Sequence, residues 1–333
     1  MTPIFDVIDQ RLLNQWQRGF PLRREPYAVL AEALGLDEAA VLARLQRLHT
    51  AGAFSRVGGA WAPGAGGAAL LCAYAVPAER LDAVAAQVSA QPGVNHNYQR
   101  EHRHNLWFVL TGPDAAAVAR TLDRLNAQTG LRALRLPMLR AYRIDLGFDL
   151  RQRLAADHAP QRGRAAPVDA ADRPLAAWLE DGLPLQPRPY DEATAACGWP
   201  VDRVLATLQR WLDQGTLRRL GVIVRHHELG FDHNAMAVFD VADDAVDAIG
   251  ERLAQQSGVT LAYRRARAPG WRYNLYAMVH GRARDEVRAA VAAAAQAAGL
   301  DGAPHELLFS CRRFKQQGGR YFSSAAPAET AHA

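Results

Sequence analysis

Lysine is almost missing from this chain: of 39 basic residues, Lys315 is the one lysine, so arginine carries the positive charge. Cysteine is scarce as well. Cys72, Cys197 and Cys311 lie far apart with no CxxC pair, which argues against a disulfide framework and against a structural zinc site. No apolar run approaches the ~20 residues of a membrane-spanning helix. The opening MTPIFDVIDQ carries neither the basic nor the apolar segment of a secretory leader, so a cytoplasmic location is expected. What is present is ordinary for a soluble chain of two or more domains: 333 residues, 49% hydrophobic and 22% charged, with a net charge of +5. A planar guanidinium grips phosphates and carboxylates alike with two bonds, so the arginine excess fits DNA and fits a small polyacidic ligand equally well.

The chain is written twice. Residues 19–58 align without a gap to 182–221 at an offset of 163, and 16 of those 40 positions are identical. The offset then becomes 165, where Val94 and Tyr98 match Val259 and Tyr263, and 169, where Asn105, Leu106 and Gly112 match Asn274, Leu275 and Gly281. Offsets that grow only at loops mark a tandem duplication of a unit of about 150 residues.

Each unit divides again. In the first, Asp6 to Trp16 has helical spacing, Tyr27 to Leu34 is a second helix ending at Gly35, and Asp37 caps a third from Glu38 to His49. A β-rich wing, Phe54 to Trp61, follows, which reads as a winged helix-turn-helix over 1–62. The second unit repeats it over 173–230, with Pro200 opening its third helix. After each wing the order becomes strand, helix, strand, strand, helix, strand, a ferredoxin-like sandwich over 68–150 and again over 233–322. The last strand of the first sandwich is expected to run from Leu131 to Arg143. Residues 151–172, rich in Ala, Arg, Asp and Pro, read as a linker, and 323–333 as a disordered tail. The fold class is α+β, duplicated.

One stretch asks for more than folding. Arg225, His226 and His227 stand side by side after the apolar run Gly221 to Val224, with Asp232, His233 and Asn234 close behind. Two histidines beside an arginine suit an anionic, metal-bearing or proton-accepting ligand. The first unit has Ala62, Pro63 and Gly64 at the aligned place, so one histidine site per chain is expected, in the second unit. Period two sorts one strand face into Val94, His96, Tyr98 and Arg100, and its counterpart into Val259, Leu261, Tyr263 and Arg265. A tyrosine and an arginine recurring in both copies suggest a shared ligand contact; structural duty at the domain interface explains them as well and is favoured for the first unit. The hairpins 101–104 and 265–271 are cation-rich and suit a rim gripping acidic side chains. Asn105 and Asn274 read as turn or sheet hydrogen bonders.

The words VNHNYQREHRHNLWFVLTG (94–112), LPMLRAYRIDLGF (136–148), GVIVRHHELGFDHNAMAVFDV (221–241), WRYNLYAMVHG (271–281) and FSCRRFKQQGGRYF (309–322) carry a resemblance. The architecture resembles the leucine-responsive (Lrp/AsnC) regulators, and the words resemble a specialised branch, the sirohaem decarboxylases of d1-type and alternative haem synthesis. The resemblance covers all but linker and tail, and two units in one chain look like a fused pair of subunits. It implies loss of carbon dioxide from the C12 and C18 acetates of sirohaem to give 12,18-didecarboxysirohaem, with no cofactor beyond the iron tetrapyrrole substrate. It also implies an intramolecular pseudo-dimer, with further homo-oligomers open. His226 and His227 are then the candidate catalytic residues, one of them a candidate axial ligand to the substrate iron. Arg225, Tyr263, Arg264, Arg265, Arg272, Tyr273, Arg100, His102 and His104 are the candidate substrate-binding residues.

The rival from another class is a DNA-binding regulator. Arg44, Arg47 and His49, or Arg203, Thr207 and Arg210, on the third helices would have to reach phosphates or base edges. The narrow polar face of those helices and two non-identical units suit a palindromic site poorly, so DNA is not the expected partner. A purely regulatory haem sensor is a third reading.

Overall fold

A computed structural model describes residues 5–144, 165–224 and 233–323. The first unit runs α1 (Val7–Gln15), α2 (Pro26–Leu34), α3 (Glu38–Thr50), β1 (Phe54–Trp61), β2 (Ala68–Tyr74), α4 (Leu81–Ala90), β3 (Val94–Arg100), β4 (Leu106–Gly112), α5 (Ala115–Thr129), β5 (Leu134–Leu136) and β6 (Met138–Ile144). The second runs α6 (Arg173–Asp181), α7 (Tyr190–Cys197), α8 (Val201–Asp213), β7 (Leu217–Val224), β8 (His233–Phe239), α9 (Val246–Ala254), β9 (Val259–Arg265), β10 (Leu275–Gly281), α10 (Arg284–Ala298) and β11 (His305–Gln316). Local chemistry sets the helix ends. The Asp37 carboxylate accepts the Ala40 N–H at 2.6 Å, and Gly35, at φ 68°, takes the left-handed stop after α2.

The wings differ from expectation. Among the described residues neither unit pairs a wing hairpin of its own; β1 pairs antiparallel with β7, Phe54 opposite Val224 and Gly58 opposite Gly221, as a ribbon shared by both units. The two helical domains correspondingly share one core, in which Leu12, Tyr27 and Leu45 pack with Leu175, Tyr190, Leu208 and Trp211. The exchange is reciprocal. The Tyr27 hydroxyl donates to the Pro184 carbonyl at 3.0 Å, and the Tyr190 hydroxyl to the Pro21 carbonyl at 3.5 Å. Three short helices cannot bury a sizeable core alone, and pairing doubles it. At the middle of the ribbon a side chain on Gly221 would collide with the Trp16 and Gln17 carbonyls, so glycine is required there.

Nine strands form one sheet in the order β5-β2-β4-β3-β11-β8-β10-β9-β6. Its two outer strands are neighbours in the chain, separated by Pro137 alone, so the strands curl round until first and last meet. The expected single strand from Leu131 to Arg143 is thus broken at Pro137, which has no N–H for a ladder. Its first half pairs with β2 of its own unit and its second half with β9 of the other. β11 answers it, pairing with β8 through Phe309 and with β3 from Ser310 onward.

Strand sequences report this burial on both faces. In β4, Leu106, Phe108 and Leu110 face the first unit's helices, while Trp107 and Val109 face the opposing strands. In β10, Leu275, Ala277 and Val279 face α9 and α10, while Tyr276 and Met278 face inward. Asn105 and Asn274 do what the sequence suggested: each side-chain amide exchanges two hydrogen bonds of 2.9–3.0 Å with the backbone of Val76 or Val241.

Candidate active site

Arg225, His226 and His227 lie outside the described residues. Their described neighbours are Val224, which pairs with Phe54, and His233, which pairs with Gly281.

The remaining candidates fall into three groups. Arg100 and Arg265 are buried and related by the duplication: Arg100 donates to the Leu308 carbonyl at 2.9 Å, and Arg265 to the Leu136 carbonyl at 2.7 Å. Each thereby holds the last strand of the other unit. Each also lies over the tyrosine two residues before it, Arg100 at 5.8 Å from the Tyr98 ring centre and Arg265 at 4.6 Å from that of Tyr263. Of the two readings of this recurring pair, the structure displays the structural one.

The hairpin loops of the two units do meet. His102 and His104 stack at 5.6 Å, and both rings stand edge-on to Trp271, which also packs on Trp107 and Tyr273. His102 Nδ1 accepts the His104 backbone N–H at 2.8 Å, so the ring proton sits on Nε2, 2.7 Å from Glu306. The other Glu306 oxygen accepts from the Tyr273 hydroxyl at 2.7 Å. Burial and then this bond push the Tyr273 phenol up to about 12. His102 and Tyr273 are therefore engaged with one carboxylate, while Nδ1 of the half-buried His104 is buried without a partner among the described residues.

Arg264 and Arg272 belong to an ion-pair cluster. Arg272 bonds Asp240 at 2.6 Å, Arg267 bridges Asp240 and Asp243, and Arg264 stands 3.5 Å from Asp243 and Asp247. The Arg267 and Arg272 bonds hold the Asp240 carboxyl below the usual range.

A different group was not assembled from the sequence. His96 and Tyr98 project from β3 toward β1 and the end of β11, their rings stacked at 6.2 Å and 22°. Gln316 is opposite His96 and Arg313 opposite Tyr98. His96 is partly buried. Arg56, at the β1 bulge between the paired residues Phe54 and Val57, presses its guanidinium against the backbone of Gly318, and its Nε is buried without a partner. Burial, then Arg56, lowers His96 to about 4. Burial, then the neighbouring Arg320, lowers Arg56 itself, only partly offset by Glu180 and Asp181. Arg320 is in turn paired with Asp181, and Arg56 donates to the Gly59 carbonyl at 3.2 Å. The available signal was the mismatch of copies: His96 aligns with Leu261, so one copy kept an imidazole where the other has an aliphatic chain.

On the helices that would read DNA, Arg44, Arg47 and Arg210 are already ion-paired. Arg44 and Arg47 both bond the buried carboxylate of Asp9, and Arg44 also bonds Asp6. Arg210 pairs with Asp169 and Asp172, Arg203 lies over the Trp199 ring at 3.9 Å, and Thr207 is buried.

Paired helix-turn-helix domains joined to a double sandwich define an AsnC-like, ligand-binding class of protein. Residues 65–143 and 228–315 match the AsnC-like ligand binding domain, and 9–54 and 172–218 match the Siroheme decarboxylase NirDL-like HTH domain. The siroheme decarboxylase NirDL subunit of Paracoccus denitrificans is 43% identical over 96% of this chain and 99% of its own. The crystal structure of the siroheme decarboxylase NirDL superposes with a TM-score of 0.67 at 26% identity, covering 95% of this chain and 94% of its own. A structure of NirDL in complex with an iron-uroporphyrin III analogue gives 0.65 over the same shares. The chain belongs to the sirohaem decarboxylase family, in its fused two-unit form.

Proposed function

We propose that this chain is a carboxy-lyase that removes the C12 and C18 acetate carboxylates of sirohaem, without oxidation, to give 12,18-didecarboxysirohaem. One observation carries the reading: kinship over nearly the whole chain with a protein solved holding an iron tetrapyrrole analogue. Sirohaem bears eight carboxylates, and a chain with a net charge of +5 carried almost entirely by arginine suits them.

In each step the bond between the acetate methylene and its carboxylate breaks. Carbon dioxide leaves, the electron pair passes into the conjugated ring, and a proton ends on the carbon that becomes a methyl group. Arg225 is proposed to seat a retained carboxylate with two bonds. His226 and His227 are proposed to supply the proton as imidazolium. No described helix is long and apolar enough to cross a membrane.

Anaerobic incubation with sirohaem, followed by mass analysis of the extracted pigment, tests the reading. Loss of two carbon dioxide units is expected, and His226→Ala and His227→Ala should abolish or strongly slow it. Unchanged pigment with the native chain overturns the proposal. The regulator reading predicts retarded DNA fragments in a mobility-shift assay, whereas the ion-paired Arg44, Arg47 and Arg210 favour none.

A further inference from the structure

We propose that residues 317–323 are a latch that fixes the paired helical domains on the sandwich, with the Glu180 carboxylate as its catch. The inference concerns the mechanics of the chain and stands independently of the sirohaem reading.

Little else joins the two layers. Among the described residues, no helix or ribbon strand of the helical pair packs extensively on a helix or strand of the sandwich. Domains without a large apolar interface are expected to move relative to one another. The chain beyond β11 supplies what the regular elements lack. Gln317 donates its N–H to the Asn95 carbonyl at 2.8 Å and Arg320 its N–H to the Thr111 hydroxyl at 2.9 Å, so the segment first crosses β3 and β4 of the other unit.

It then enters the helical layer. There the carboxylate of Glu180, on α6, is buried and accepts four donors. They are the N–H groups of Tyr321, of Phe322 at 2.9 Å and of Ser323 at 3.2 Å, and the Ser323 hydroxyl at 2.7 Å. Hydrogen bonds to an ionised acceptor are roughly twice as strong as neutral ones, and here three successive backbone groups share one acceptor. Phe322 is the one buried side chain of the helical core, among the described residues, that comes from beyond β7. Its ring stands edge-on to Trp61 at 4.8 Å, and Arg173 lies over it at 5.6 Å. Arg320 pairs with Asp181 beside the catch. The first unit leaves room for the segment: a side chain on Gly66 would strike the Phe322 ring, and one on Gly67 would strike Tyr321.

The duplication supplies the control. At the offset of 163, Glu180 and Asp181 correspond to Gln17 and Arg18, so the acidic pair exists in one copy. A glutamine side chain offers one acceptor oxygen and no charge, and an arginine in place of Asp181 would repel Arg320. The acidic pair therefore stands only where the end of β11 delivers its donors, and each chain has one latch.

Full-length native protein is compared with Glu180→Ala, Glu180→Gln and Phe322→Ala by amide hydrogen exchange and by solution X-ray scattering. In the native chain the amides of Tyr321, Phe322 and Ser323 should be protected together. The three variants should exchange them about tenfold faster or more, while β11 and the β1–β7 ribbon keep native protection. Scattering should show a larger maximum dimension as the helical pair moves off the sandwich. Native exchange at 321–323 in the variants overturns the proposal. Faster exchange that spreads equally to β11 and the ribbon also overturns it, because Glu180 and Phe322 then act as ordinary core groups. A freed segment with unchanged scattering overturns it too, since the helical pair is then fixed elsewhere. If Glu180→Ala does not fold, Glu180→Gln, which keeps the volume and one acceptor, decides by the same readings.

Discussion

Replacing Gly250 by alanine should destabilise this protein, although the same change in most helices does the reverse. Gly250 lies inside α9, where alanine is ordinarily better by about 0.5–1 kcal/mol. Here a methyl group would stand within 2.7 Å of three atoms of the Tyr142 ring, which arrives on β6 from the other unit. That ring is held in place, because its hydroxyl donates to Asp247 at 2.5 Å and its chain neighbours Ala141 and Arg143 both pair with β9. Overpacking of this kind costs about 1–3 kcal/mol, more than the helix propensity returns. The net expectation is a loss of roughly 1–2 kcal/mol, a fall of a few degrees in Tm for a chain of this size. In a Tyr142→Ala background the obstacle is gone, and Gly250→Ala should then stabilise by about 0.5–1 kcal/mol. Thermal and urea unfolding of the four proteins measures the cycle. A stabilising Gly250→Ala in the native background, or no change of sign between backgrounds, would refute the exchange of β6 between units.

Two further outcomes follow from the same junctions. The Tyr142 bond, and after it Arg140, hold Asp247 below its ordinary carboxylate pKa. Its contribution is therefore present above about pH 4 and lost as pH falls through the lower folded value; Asp247→Asn should flatten the acid limb of the stability profile, and an unchanged limb contradicts the assignment. Trp271, 3% exposed, packs on His102, His104, Trp107 and Tyr273 and donates to the Tyr276 hydroxyl at 2.7 Å. Trp271→Ala should cost about 3–5 kcal/mol in urea unfolding, and a loss below about 1 kcal/mol would show that the two hairpins are not joined there.

Several features were legible from residues alone because their causes are local or periodic. The duplication shows in aligned identities, and the helix caps at Asp37 and Gly35 follow from side-chain reach and from permitted φ. The sandwich strands show in the order strand, helix, strand, strand, helix, strand, whereas the two faces of Leu106 to Leu110 were assigned by packing. The nearness of His102, His104 and Tyr273 was implied only as two cation-rich loops at one end of a sheet.

What the sequence determined is the repeated unit, its α+β pattern and the family to which its long words belong; a bulge after Val94 puts Val94 against the helices, off the face that period two gave it with His96 and Tyr98. Tertiary structure alone decided which unit each strand joins, because a backbone ladder forms with any strand in reach and side-chain period names no partner. It likewise decided that Arg44 and Arg47 are neutralised by Asp9, 35 and 38 residues earlier, and that Arg100 and Arg265 bind carbonyls of the opposite unit. Charge is written in sequence, but its compensation depends on distances that only the folded chain sets.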